Sequence, residues 1–193
     1  MTKKPKAKLD GTINAPGHTN RIFSMKFSKT DPNILASGGW DKSVIIWDLV
    51  AQEPKSKCIG PYICGDSIDI FGNILVTGSW RTENQLEMWD LREQKPNPIG
   101  IKWENDLGVS PVKLYASQIS QHNGRFLLAG GSGTNEARLY DLMQDTKVTP
   151  TVLAYMKGLS KACYTVDFSN QGDMCAISGG DGLIRIIDIF KRE

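Results

Sequence analysis

His18, Ser37 and Asp41 are the side-chain types of a base, a nucleophile and an orienting carboxylate, gathered in one short stretch of a 193-residue chain. Such a set could run acyl transfer, with Ser37 attacking, His18 taking its proton and Asp41 holding the imidazole. The local sequence speaks against that use. Ser37 follows an apolar run in Ala36-Ser37-Gly38-Gly39, and not a Gly-x-Ser-x-Gly elbow between a strand and a helix. Asp69, Asp167 and Asp173 fall in alternating segments or turns, with no second carboxylate at acid–base or metal spacing. Cys58, Cys64, Cys163 and Cys175 form no Cys-x-x-Cys pair and lie near neither histidine, which argues against a zinc or redox motif. The glycine-rich run from Leu128 to Gly133 lacks the Lys-Ser/Thr and helix of a phosphate loop. No catalytic residue, metal or cofactor is expected.

The elements that must position these residues are strands. Four segments end alike: ILASGGWDKSVIIWDL, ILVTGSWRTENQLEMWDL, FLLAGGSGTNEARLYDL and MCAISGGDGLIRIIDI. Each runs from an apolar stretch through a small-residue cluster and a polar turn to a second apolar stretch that closes on Asp48, Asp90, Asp141 or Asp188. Arg21 to Phe27 alternates with period two, and Leu183 to Ile187 reads as a strand buried on both faces. Turn signals at Asp31-Pro32-Asn33, Phe71-Gly72-Asn73, His122-Asn123-Gly124 and Asn170-Gln171-Gly172 join the first two strands of each unit. No segment has the pattern of a ten-residue amphipathic helix, and no apolar run reaches the length of a membrane span. The chain reads as an all-β repeat protein.

Gly17-His18, Ser37-Gly38-Gly39, Asp41 and Trp47-Asp48 together resemble the WD-repeat (tryptophan-aspartate repeat) β-propellers. The resemblance implies four WD-like blades over residues 9–193, at about 17–61, 62–104, 110–157 and 158–190, as a partial propeller or part of a larger ring. It also implies that residues 9–14 add the outer strand of the last blade, capping an otherwise open sheet edge. Blade one then takes strands near 21–27, 33–38, 43–48 and 57–61, and blade two opens near 64–70. By the same resemblance His18, Ser37, Asp41 and Trp47 form a buried hydrogen-bond network. Thr77 and Trp89 repeat part of it, as do Ser178 and Asp181. Later blades, lacking the whole set, are expected to lean on apolar packing.

Function follows from the turns on one rim of such a fold. Trp40 and Trp80 occupy equivalent positions and are expected side by side. With Arg21, Lys42, Arg81 and Asn84 they form a candidate protein-binding patch, since Trp and Arg are the residue types enriched in binding hot spots. The alternative for the two tryptophans is packing between neighbouring blades. The expected role is a non-catalytic interaction scaffold in a multi-protein assembly, with other proteins, another propeller-forming chain or a second copy as partners. The alternative is a structural part of a cytoskeletal or ciliary assembly, and an enzyme is the weakest reading. A formal charge of +2 gives no basis for a nucleic-acid or membrane partner. The basic segment 1–8 reads as a solvated tail without a secretory signal, and the location as cytoplasmic, with cytoskeletal or nuclear sites open.

Overall fold

A computed structural model describes residues 8–11, 16–93, 95–103, 111–143 and 146–190. Among them the secondary structure is all β, in four antiparallel sheets each built from consecutive strands. The first holds β1 (Ile22–Phe27), β2 (Ile34–Gly39), β3 (Ser43–Asp48) and β4 (Glu53–Ile59). The second holds β5 (Ile68–Phe71), β6 (Ile74–Gly78), β7 (Leu86–Asp90) and β8 (Pro98–Ile101). The third holds β9 (Lys113–Ile119), β10 (Phe126–Ser132), β11 (Ala137–Asp141) and β12 (Thr151–Met156). The fourth holds β13 (Cys163–Phe168), β14 (Met174–Gly179) and β15 (Ile184–Asp188).

The turns are those the composition demands. Gly72, Gly124 and Gly172 sit at φ +58°, +65° and +72° between the first two strands of three sheets, where a side chain would be strained. The signature aspartates punctuate the far end. Asp48, Asp90, Asp141 and Asp188 each accept, through Oδ1, the amide two residues on, at 2.9–3.0 Å. Each therefore closes its third strand with an Asx turn. The motif's aspartate is a strand terminator in all four units.

Two strand positions differ from expectation. β4 begins at Glu53, because Asp48 also takes the Ala51 amide and Gln52 adopts φ +59°, which returns the chain at once. Pro54 is tolerated there because β4 is an edge strand, where the missing N–H breaks no ladder bond. β5 begins at Ile68, after a turn in which the Ser67 amide bonds the Gly65 carbonyl. The expected outer strand at 9–14 falls largely outside the described residues. The described Gly11 forms an isolated bridge with Pro16, and the fourth sheet has three described strands. The expected tail at 1–8 also lies outside the described residues, except for Lys8, which pairs with Asp10.

Sheets pack face to face in chain order, and the cores lie in the junctions. Ala36, Val44 and Ile46 of the first sheet meet Ile70, Leu75 and Trp89 of the second. Val76 and Met88 meet Leu114, Leu127 and Tyr140, and Leu128 and Leu139 meet Val166, Phe168 and Ile177. Both faces of an inner sheet are thus buried, which explains the near-continuous apolar runs of β6 and β10.

Candidate protein-interaction rim

The network expected from the first repeat is present. Trp47 Nε1 donates to Ser37 Oγ at 2.7 Å, Ser37 Oγ meets His18 Nε2 at 2.8 Å, and His18 Nδ1 meets Asp41 Oδ2 at 2.8 Å. An indole can only donate, so the Ser37 oxygen accepts from it and turns its own proton toward Nε2; the other ring nitrogen then donates to Asp41. Burial works to raise the Asp41 carboxyl, but the bonds from His18 and the Thr19 amide prevail and hold it below its ordinary value. Ser37 is 2% exposed and its oxygen is spent on the indole. The connectivity of a triad thus exists here around a buried serine oxygen.

The other sheets differ from the expected apolar substitutes. Trp89 donates to Thr77 Oγ1 at 3.0 Å, as anticipated. Around it, ion pairs replace the imidazole. Arg81 stands at the place of Asp41 and bridges to Glu87, which lies across from Thr77 as Ile45 lies across from Ser37. In the fourth sheet Asp181 and Arg185 make the same crossing with the charges reversed, at 2.7 Å. In the third, Arg138 bonds Glu136, which also accepts the Trp103 indole at 3.1 Å. The register further places Ile177, and not Ser178, at the level of Ser37. The one-residue offset arises because Gly179, like Gly39, is the residue that abuts the first strand. A Cβ there would lie 1.9 Å from the Ala162 carbonyl, as at Gly39 it would lie 2.0 Å from that of Arg21.

Trp40 and Trp80 do occupy equivalent positions. Their amides donate to the Arg21 and Tyr62 carbonyls at 2.9 Å each. They do not meet side by side, because Tyr62 stands between them, with ring centroids 6.2 Å from Trp40 and 6.5 Å from Trp80. Trp40 also stacks on Phe23 at 4.8 Å, and its indole N–H donates to Cys64 Sγ. Trp80 donates to the Tyr115 hydroxyl at 2.8 Å, and Tyr115 meets Tyr164 edge-on at 5.0 Å. The result is an aromatic belt running from the first sheet to the fourth. Two cations cover it: the Arg21 guanidinium 5.2 Å above Trp40 and the Lys113 ammonium 3.9 Å above Trp80. Both tryptophans are half-buried.

The remaining expected contacts separate. Arg21 is exposed beside the belt, and Lys42 is exposed at φ +57° in the β2–β3 turn. Arg81 is occupied by Glu87 and the Asn84 carbonyl, which joins Asn84 to a structural turn. Phe23, Tyr62, Tyr115 and Tyr164 are the belt members that sequence reasoning misses. Three of them mark β-bulges, where the register slips at Ile22/Ser24, Gly130/Gly131 and Cys163/Thr165. A bulge re-aims the extra residue out of the alternation, so each aromatic ring turns onto the rim. The available signal is the recurring pair Ile22-Phe23, Leu114-Tyr115 and Cys163-Tyr164 near the start of three of the four first strands.

Comparison with known proteins agrees with this architecture. The family model described as "WD domain, G-beta repeat" matches residues 8–48 and 151–188. The small ribosomal subunit protein RACK1 of Caenorhabditis elegans is 24% identical over 190 residues, covering 94% of this chain and 54% of that protein. MST50-interacting protein 11 of Pyricularia oryzae is 31% identical over 87 residues, 44% of this chain and 27% of that protein. The chain thus spans about half the length, or less, of the curated relatives it matches. The β-propeller domain of Cps50 (Swd1) from Myceliophteria thermophila superposes with a TM-score of 0.74 at 18% identity, covering 89% of this chain and 53% of the other. A chain of the Mitotic Checkpoint Complex gives 0.73 at 16%, covering 92% and 52%. With the repeated motif, the four sheets and the family match in agreement, the chain carries WD repeats at residues 8–48 and 151–188 and has the fold of the β-propellers on which it superposes.

Proposed function

We propose that this chain is a non-catalytic interaction scaffold that holds a protein partner on its aromatic rim. The observation that carries the reading is the belt from Phe23 through Trp40, Tyr62, Trp80 and Tyr115 to Tyr164, flanked by Arg21 and Lys113. Rigid aromatic rings with cations at hand offer large contact area at low entropic cost, the composition typical of binding hot spots. The belt's mutual stacking fixes the rings before a partner arrives, so less ordering is needed on binding. An acidic or amide-rich peptide segment is the complement, because Arg21 and the exposed Lys42 supply the charge at one end. Relatives named for a ribosomal subunit and for an interacting protein, and a fold neighbour from a multi-protein complex, are in keeping with a protein partner. The buried state of Ser37 supports the non-catalytic reading. Cytoplasmic assembly is the corresponding location.

The test is Arg21→Ala with Lys42→Ala in one variant and Trp40→Ala with Trp80→Ala in another. Loss of captured partners in the first variant at unchanged melting temperature supports a binding rim. Retained partners in both variants, with a lowered melting temperature in the tryptophan pair, would reduce the belt to packing.

A further inference from the structure

The two ends of the four-sheet arc carry the two halves of one more junction. At the first junction Ala36, Val44 and Ile46 of one sheet are buried against Ile70, Leu75 and Trp89 of the next. In the fourth sheet Ala176, Ile184 and Ile186 stand at the register positions of Ala36, Val44 and Ile46. Ile184 and Ile186 are 74% and 71% exposed, and an apolar groove of about 240 Å³ opens along Thr165, Ala176, Ser178 and Ile184. In the first sheet Phe27, Leu35 and Trp47 repeat Ile70, Leu75 and Trp89. Phe27 is 63% exposed there, beside Met25 at 62%.

A polar contact repeats with the apolar one. Asp69 of β5 accepts the Ile70 amide through Oδ1 at 2.9 Å and, across the second junction, the Ile119 amide of β9 through Oδ2 at 2.8 Å. Asp167 of β13 faces Ala176 as Asp69 faces Val76, and its Oδ1 accepts the Phe168 amide at 2.9 Å. Asp167 is exposed, and its Oδ2 has no partner among the described residues. Phe27 of β1 stands where Ile119 stands in β9, each opposite a leucine. The amides of Ser28 and Ser120 bond the neighbouring strand, so those of Phe27 and Ile119 point to the other edge.

We infer that the fourth sheet docks on the first sheet of a second copy of this chain, with Ala176, Ile184 and Ile186 on Phe27 and Leu35 and with Asp167 Oδ2 accepting the Phe27 amide. Because one chain carries both halves, a two-fold axis makes the contact twice, residue i meeting j and j meeting i. Two copies of a four-sheet arc close a ring of about eight sheets, at the upper end of the usual propeller range.

The experiment is light scattering on the whole chain and on two variants, Ile186→Glu on one face and Phe27→Glu on the other. The wild type is expected at twice the 21.3 kDa chain mass. Each variant alone is expected at single mass, and their equimolar mixture back at double mass through the one junction left intact. A pair formed by like faces would spare one variant, and a single-mass wild type overturns the inference. So does a mixture that stays single, or a face covered only by further blades of a longer polypeptide. If either variant fails to fold by circular dichroism, hydrogen exchange on the wild type decides. The Phe27 amide gains protection as concentration rises if the contact forms, and unchanged exchange refutes it.

Discussion

Ser37→Ala is the sharpest probe of how the first sheet is held together. The hydroxyl is shared: the Trp47 indole lies 2.7 Å from it and His18 Nε2 2.8 Å. Deleting it orphans two polar groups, and the His18 side chain is only 4% exposed. A buried group left unsatisfied costs about 1–3 kcal/mol, so the expected loss is roughly 2–4 kcal/mol after partial relaxation. Thr77→Val orphans the Trp89 indole alone and keeps the side-chain shape, so it should cost about half as much. Urea unfolding followed by tryptophan fluorescence reads both, because Trp47 and Trp89 are buried and report local opening. In a double-mutant cycle, Ser37→Ala and Trp47→Phe should cost less together than their sum, by about 1 kcal/mol. Additive costs, or a Ser37→Ala protein within about 0.5 kcal/mol of wild type, would refute the network as a stabilising unit. A hydrolytic activity lost at unchanged stability would refute the structural role itself.

Four further outcomes follow from the same structure. Gly39→Ala should unfold the chain or cost more than about 3 kcal/mol, since its Cβ would lie 2.0 Å from a backbone oxygen. Gly182→Ala, in open space at φ +74°, should cost only about 1–2 kcal/mol in the same denaturation assay. Burial pushes the Cys58 thiol up to about 12 and those of Cys163 and Cys175 to about 11, so native labelling with a thiol reagent should find the half-buried Cys64 first. The carboxyls of Asp141 and Asp181 are held low by Arg125 and Arg185, and that of Asp41 by His18 against the opposing effect of burial. Because these folded values lie below the unfolded value of about 3.9, their stabilisation is present above that pH and lost as pH falls through the folded values. Melting temperature should therefore drop steeply below about pH 4, less so in Asp41→Asn.

The sequence by itself determined the repeat and its strands. These rest on local signals: period-two alternation, glycine turns, and an aspartate that closes the third strand by bonding an amide two residues away. His18, Ser37, Asp41 and Trp47 were legible through the resemblance to the WD-repeat family, since His18 has no counterpart in the later repeats. Only the tertiary structure decided what fills those places when the motif is lost. Arg81–Glu87 and Asp181–Arg185 pair across a turn, and their opposite order follows no linear pattern. It also decided the belt, because a bulge shifts the alternation by one residue and so turns Phe23, Tyr115 and Tyr164 outward where the pattern would bury or expose them by parity. Trp40 and Trp80 share a sequence position, yet Tyr62 separates them, since a residue's neighbour across a junction is set by how two sheets meet and not by either sheet's own sequence.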